Sequence, residues 1–219
     1  MVTSNVYFRV FHIKYGTSAG TCFTIDIDNK QYFVTAKHVV ENIKTGDTVS
    51  IFRNKQWLDQ KITLIGHSAV ADVSVFSLDI IIEGHSMPAT IAGLIYGQDL
   101  YFLGFPFGMT SEVGAINRDF PLPFVKKATL SMIENGSVLY LDGHNNPGFS
   151  GGPVVFKKND FDEFNVCAII SGYRNELVET KVDNTTTIHV KTNSGIIIAY
   201  GINNALDLIK NNPNGKPLV

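Results

Sequence analysis

Short runs of β-branched and aromatic residues, closed off by Gly/Asn/Asp turn signals, recur along almost the whole chain and leave little room for helix. Val6–Ile13, Thr21–Ile27, Gln31–Thr35, Thr48–Phe52, Lys61–Gly66 and Val73–Leu78 form a first set. Asp28-Asn29 and Thr45-Gly46-Asp47 are among the turns between them. A mixed stretch, Glu83–Gly93 with Pro88 inside it, reads as a linker. A second set follows: Asp99–Leu103, Phe124–Ile133, Ser137–Leu141, Pro153–Phe156, Phe164–Gly172, Thr185–Val190 and Ile196–Tyr200. Helical spacing enters clearly only in Asn203–Lys210, with Asn203 as its N-cap and Pro213 and Gly215 beyond it. A short helix is also expected through Val39–Ile43. The pattern predicts an all-β protein of two six-stranded antiparallel β-barrels with a short C-terminal helix. The expected organisation is an N-terminal barrel over 1–82, a linker over 83–97, and a C-terminal barrel with the closing helix over 98–219.

Composition fits this plan. The 219 residues suit one large domain or two fused halves, and 44% apolar residues suffice for a core. Only 17% are charged, which argues against disorder. The net charge of −2 gives no basic field for nucleic acid or an anionic membrane. No apolar run approaches the roughly 18–20 residues of a membrane span. Residues 1–10 lack a basic segment followed by an apolar one, so no signal peptide is read and a cytoplasmic location is expected. Cys22 and Cys167 can form a single disulfide or stand as two buried thiols. The missing export signal favours the thiols.

Chemistry concentrates in Asn146-Pro147-Gly148-Phe149-Ser150-Gly151-Gly152-Pro153. A serine hydroxyl is a weak nucleophile until a base takes its proton and N–H groups receive the oxyanion. Glycines on both sides allow backbone angles that expose the hydroxyl. Upstream, Tyr32–Val39 is an apolar strand ending in His38, and Asp72 leads into the strand Val73-Ser74-Val75. Taken singly, each has an ordinary reading: a Gly-rich turn, a satisfied junction histidine, a strand-edge aspartate. Jointly, all three close apolar strands in the chain order His, Asp, Ser, one of the known orders of a catalytic triad.

Three rival chemistries fit less well. Gly148–Gly152 also matches the Gly-x-Ser-x-Gly nucleophile elbow, which needs a following helix and a later acid and histidine. Here Pro153–Phe156 reads as a strand, and His189 lies in an alternating segment. The six histidines are scattered without metal-ligand spacing, so neither metal nor cofactor is expected. Both cysteines lie inside apolar strand patterns, the setting of inert core thiols.

These motifs resemble the trypsin-like serine peptidases, most closely the HtrA (Deg) branch. Thr35-Ala36-Lys37-His38-Val39 is similar to that branch's histidine motif. Asp72-Val73-Ser74-Val75-Phe76 is similar to its Asp-Leu-Ala-Val-Leu. Asn146–Pro153 is similar to its Asn-Pro-Gly-Asn-Ser-Gly-Gly-Pro, and Gly104–Gly108 to its Gly-Asn-Pro-Phe-Gly turn. Ser194–Ile209 resembles its last strand and closing helix, so the likeness spans residues 16–210. The chain departs from that branch between Thr110 and Phe124, which corresponds to a regulatory loop, and no PDZ domain is expected after Val219. In digestive trypsins an aspartate precedes the serine and pairs with a newly cut N-terminal amine. Phe149 stands there, so that activation is not expected. Cys22 falls where those enzymes place half of a disulfide, but Val39 replaces the partner.

The resemblance implies a chymotrypsin-like fold and a serine endopeptidase acting on polypeptide. Ser150 is the nucleophile, His38 the base and Asp72 its orienter. Gly148 and Ser150, with Phe149 between them, supply the oxyanion hole. Substrate is expected to bind extended beside Ser171-Gly172-Tyr173. His144 falls at the floor of the specificity pocket, where it either reads an acidic or amide side chain or faces solvent. Ile170, Ile197 and Ile198 suggest apolar walls. The alternative is a silent peptide-binding pseudoprotease of the same fold.

Overall fold

The structure is a computed structural model that describes residues 2–111, 120–159, 161–181 and 187–218. Residues 112–119 of the expected regulatory loop therefore lie outside the described residues.

In the first half, β1 (Val10–Tyr15), β2 (Ser18–Ile27), β3 (Lys30–Thr35), β4 (Thr48–Arg53), β5 (Gln56–His67) and β6 (Ser74–Leu78) lie in the order β3-β2-β1-β4-β5-β6. Pairing of β3 with β6, Phe33↔Phe76 to Thr35↔Ser74, closes the ring. In the second half, β7 (Asp99–Gly104), β8 (Phe124–Glu134), β9 (Val138–Asp142), β10 (Pro153–Phe156), β11 (Asn165–Lys181) and β12 (Thr187–Gly201) form a closed barrel. Its order is β10-β11-β12-β9-β8-β7. The fold is thus the expected pair of six-stranded rings. A two-residue strand, β13 (Lys216–Pro217), returns to β3. Helix α2 (Asn203–Asn211) leads back to the first ring, where the Asn212 side chain donates to the Ile65 carbonyl (2.9 Å).

Several strands are apolar without alternation because both of their faces are buried. Phe33, Cys22 and Phe76 fill the first ring, whereas Val34, Phe23 and Val75 face the seam between the rings. In the second barrel Phe102, Val154, Cys167 and Ile170 point inward. Their neighbours Leu103, Val155, Val166 and Ile169 meet the seam. Burying both faces brings the edges of the two rings together, and the candidate residues sit there. Cys22 and Cys167 are unpaired and buried.

Four local expectations are corrected. Val6–Ile13 is not one strand: Ser4–Tyr7 form a helical turn, α1, and β1 starts at Val10. Val2 and Val6, four residues apart, are both buried, so helical spacing prevails over period two there. The turn after β3 is a 3₁₀ helix over Lys37–Val40 rather than a helix through Val39–Ile43. Ile202, not Asn203, caps α2 and offers no side-chain bond, while the Asn204 amide donates to the Gly201 carbonyl (2.9 Å). Finally, β11 does not stop at Gly172, and β12 is one strand where two short ones are expected. Of the expected segment Thr185–Val190, residues 185 and 186 lie outside the described residues. No helix among the described residues is long and apolar enough to cross a membrane.

Candidate active site

His38 is carried by the 3₁₀ turn that ends β3, pinned by buried Val39 and Val40. Asp72 is presented by a turn in which the Ser68 hydroxyl accepts the Val70 and Ala71 N–H groups (3.3 and 3.1 Å). Ser68 N–H closes that turn onto the Val73 carbonyl (2.9 Å). The two residues meet twice. Asp72 Oδ1 accepts the His38 backbone N–H at 2.9 Å, and Oδ2 lies 2.6 Å from His38 Nδ1. With Nδ1 as donor, the neutral imidazole keeps Nε2 as an acceptor. The hydrogen bond to Asp72 raises the pKa of His38 above its ordinary value. Burial opposes that shift, while the Asp72 and Glu41 charges add to it. Asp72 itself is lowered. Burial works against this, and the bonds from the His38 ring, the Ser171 hydroxyl and the His38 N–H outweigh it.

The Ser150 loop is shaped by backbone contacts. Gly148 has φ +105° and Gly151 φ +85°, a region that side chains disfavour. Neither has room for a Cβ, which would collide with the Phe105 carbonyl at Gly148 and with the Thr21 carbonyl and Thr35 hydroxyl at Gly151. The Pro147 carbonyl accepts the Phe107 N–H (2.9 Å) and the Phe149 carbonyl accepts the Gly152 N–H (2.8 Å). In a trans peptide the next N–H points the opposite way. The Gly148 and Ser150 N–H groups are thereby turned out, and neither donates to an acceptor among the described residues. Phe149 N–H instead bonds the Asn146 carbonyl (3.3 Å), which corrects its reading as a third expected oxyanion donor. Its ring is fully buried against Phe102, centroids 4.9 Å apart.

Ser171 ties the two halves together. Its hydroxyl donates to Asp72 Oδ2 (2.6 Å), and its carbonyl accepts the Ser150 hydroxyl (3.2 Å). No hydrogen bond joins Ser150 to His38 among the described residues. Three candidates thus share one small network, with the Ser150 hydroxyl resting on a carbonyl.

The pocket candidates divide. Gly172 and Tyr173 follow Ser171 along β11, half-buried, and a Cβ at Gly172 would meet open space. His144 is exposed, its carbonyl bonded by the Lys126 ammonium (2.6 Å). Ile170 and Ile197 are fully buried in the barrel interior, which corrects their reading as walls of an apolar substrate pocket. Ile198 is half-buried.

Three side-chain roles are absent from the sequence reading. The Ser171 hydroxyl reaches Asp72 across 99 positions. Thr21, fully buried in β2, donates its hydroxyl to the Gly148 carbonyl (2.7 Å) and accepts the Phe105 N–H (3.2 Å). Its own N–H bonds the Ser150 carbonyl (2.8 Å). Asn145 is buried, and its Oδ1 has no hydrogen-bond partner among the described residues. Only the polarity of Thr21 inside an apolar run marks it in the sequence, and nothing marks Asn145 in its polar turn.

With this geometry in view, a family model described as a trypsin-like peptidase domain matches residues 20–161. Similar solved structures are proteases. An inactive form of a serine-to-alanine mutant of Rv3671c from M. tuberculosis H37Rv aligns over 98% of this chain and 91% of its own, with 14% identity and a TM-score of 0.62. The serine endoprotease from Yersinia pestis aligns over 94% and 63%, with 17% identity and a TM-score of 0.62. The HtrA-type protease AlgW, solved with a tripeptide, aligns over 94% and 60%, with 20% identity and a TM-score of 0.62. The chain thus spans under two thirds of the latter two proteins. Among curated proteins no sequence match is found.

Proposed function

The chain belongs to the trypsin-like peptidase family, and on that premise we propose that it is a serine endopeptidase working through Ser150, His38 and Asp72. The carrying observation is the Asp72–His38 pair at 2.6 and 2.9 Å, in which His38 Nδ1 faces the carboxylate and Nε2 is left to take a proton. In the reaction Ser150 Oγ leaves the Ser171 carbonyl and attacks the scissile carbonyl carbon. His38 Nε2 takes the hydroxyl proton and later delivers it to the leaving amine. Asp72 holds the tautomer and stabilises the imidazolium. The oxyanion is received by the Gly148 and Ser150 N–H groups. Each such donor is worth about 3–4 kcal/mol in the transition state.

The proposed substrate is polypeptide, as the peptidase family implies. It lies extended on the edge of Ser171-Gly172-Tyr173. A cytoplasmic location belongs to the same proposal and is supported by the unpaired Cys22 and Cys167. The bond from Ser150 to Ser171, in place of one to His38, favours a second reading, a peptide-binding pseudoprotease.

A fluorophosphonate probe separates the two. It is expected to label wild type at Ser150, while Ser150→Ala is expected neither to label nor to cleave casein, with its Tm unchanged. Loss of the hydroxyl is expected to lower kcat about 10⁶-fold. An unlabelled wild type, or a Ser150→Ala protein that still cleaves casein, would refute the assignment.

A further inference from the structure

One edge of β11 changes from filled to open at the nucleophile. β10 occupies this edge as far as Pro153↔Ile169. The contact continues from Gly151 N–H to the Ile170 carbonyl (2.7 Å) and from Ile170 N–H to the Gly152 carbonyl (2.9 Å). The Ser150 hydroxyl on the Ser171 carbonyl ends the series. β11 nevertheless runs on to Lys181, paired with β12 on its other edge from Asn175↔Asn193 to Lys181↔Thr187. Among the described residues no strand takes the edge that β10 has left.

Beyond Asn175 the two strands form a ribbon clear of the barrel, since β9 pairs with β12 only at Ile196–Tyr200. A two-stranded ribbon alone is marginal in water. One of its faces carries aliphatic side chains in the open: Val178, Val190 and Ile188 are 41, 45 and 46% exposed. The other face is mixed, with Glu179 opposite His189 and Leu177, 66% exposed, opposite Lys191. A long unpaired edge is a template for another strand. No proline interrupts this one between Gly172 and Lys181.

Resting on the peptidase reading above, we infer that the open β11 edge from Asn175 to Lys181 binds the acyl side of an extended polypeptide substrate, beyond the residues that meet Ser171–Tyr173. An antiparallel strand on that edge ends, at its C-terminal end, beside Ser150, as an acyl donor must. Its backbone supplies the missing pairs, and alternate side chains lie on the Val178, Val190 and Ile188 face. The ribbon therefore selects unfolded, proline-poor, β-branched segments and favours long chains over short peptides. The irregular register between Tyr173 and Asn175 gives the bound strand a bend at the ribbon's base.

Anisotropy on the Ser150→Ala protein reads binding without turnover. The probes are fluorescein-labelled Ala-Ala-Ala-Val and the same peptide preceded by Thr-Val-Thr-Val-Thr-Val. The longer probe is expected to bind at least tenfold tighter. Methylating every second backbone nitrogen of the extension, in one of the two possible phases, is expected to erase that gain. Replacing residues 176–192 by Asn-Gly, a two-residue hairpin turn, is expected to bring both probes to equal affinity. If circular dichroism shows that protein unfolded, the methylated probes on the intact ribbon decide instead. Equal affinity of both probes for the intact ribbon, or a gain that survives methylation in both phases, overturns the inference. Fluorophosphonate labelling of wild type reports on the peptidase reading separately, so the two failures are distinguishable.

Discussion

Asp72, on the first ring, receives three donors and clamps His38 at 2.6 and 2.9 Å, whereas Ser150, on the second barrel, is placed by its backbone and rests its hydroxyl on a carbonyl at 3.2 Å. One half of the site is held by a charge, the other by glycine conformations and braced peptide planes. Charge-assisted bonds need only the right side chains within reach. Backbone placement needs every neighbouring residue to leave space, as Gly148 and Gly151 do. The two halves should therefore fail differently.

With the Ser150 hydroxyl left in place, the largest effect is expected on the charged half. Asp72→Asn removes the acceptor that fixes the His38 tautomer and should lower kcat about 10⁴-fold without unfolding the protein. Asp79→Asn is the control, since Asp79 is exposed and pairs with Lys216 (3.3 Å). A loss from Asp79→Asn in place of Asp72→Asn would move the orienting role one strand-length along. The pH profile sharpens this. His38 must be neutral to accept a proton, and its pKa is raised by the Asp72 bond. Activity should thus fall as pH drops through a value above the ordinary ~6.5. Stability runs the other way. The contribution of charged His38 is complete below ~6.5 and is lost as pH rises through the raised value. In Asp72→Asn the acidic limb should move down and the stability trend should flatten, as kcat/KM and Tm against pH will show.

On the backbone half, Gly148→Ala is expected to lower kcat about 10²–10³-fold, the cost of losing one oxyanion donor. Its Cβ meets the Phe105 carbonyl, so the loop has to shift and the turned-out Gly148 N–H moves with it. The acidic limb should stay in place, because the His38–Asp72 pair is untouched. A displaced limb would mean that the halves are coupled more tightly than their contacts indicate. Thr21→Val probes the same half more gently. It removes the bonds to the Gly148 carbonyl and from the Phe105 N–H, for about a tenfold loss in kcat with KM unmoved. Thr21→Ser should restore most of the rate. A loss confined to KM would place Thr21 in binding rather than in bracing the loop.

The same division explains what the sequence discloses. His38, Asp72 and Ser150 close apolar strands and are visible as motifs, and the strands carry β-branched runs between turn residues. The braces are not visible. Thr21 lies 127 positions from Gly148 and Ser171 lies 99 from Asp72, and an isolated threonine or serine in an apolar strand announces no partner. The β11 side of the ribbon is illegible for another reason. Both of its faces meet solvent, so Glu176–Lys181 mixes charged and aliphatic residues without the one-sided alternation that marks a half-buried strand. Helix α1 was hidden because buried Val2, Val6 and Val10 satisfy period two and period four alike.

The smallest effect concerns Phe149, the residue just before Ser150. In digestive trypsins the resemblance places an aspartate just before the nucleophile, drawn into position by a cut N-terminal amine. Here Phe149 fills that place with an aromatic ring, fully buried and edge-on to Phe102. The Lys126 ammonium, 5.8 Å from the ring, is the cation nearest to it among the described contacts, and it is already bonded to the His144 carbonyl and the Asn146 side chain. A free amine would find no carboxylate on Phe149 to pair with, and the buried ring already fills that place, so the loop conformation should not depend on how the N-terminus is made. Protein carrying ten or so extra residues before Met1 should match the unextended protein in fluorophosphonate labelling rate and in kcat/KM on casein, within about twofold. Strict dependence on a cut N-terminus would show that the backbone braces at Gly148 and Thr21 are insufficient, and that the Ser150 half also relies on a charge, as the His38 half does.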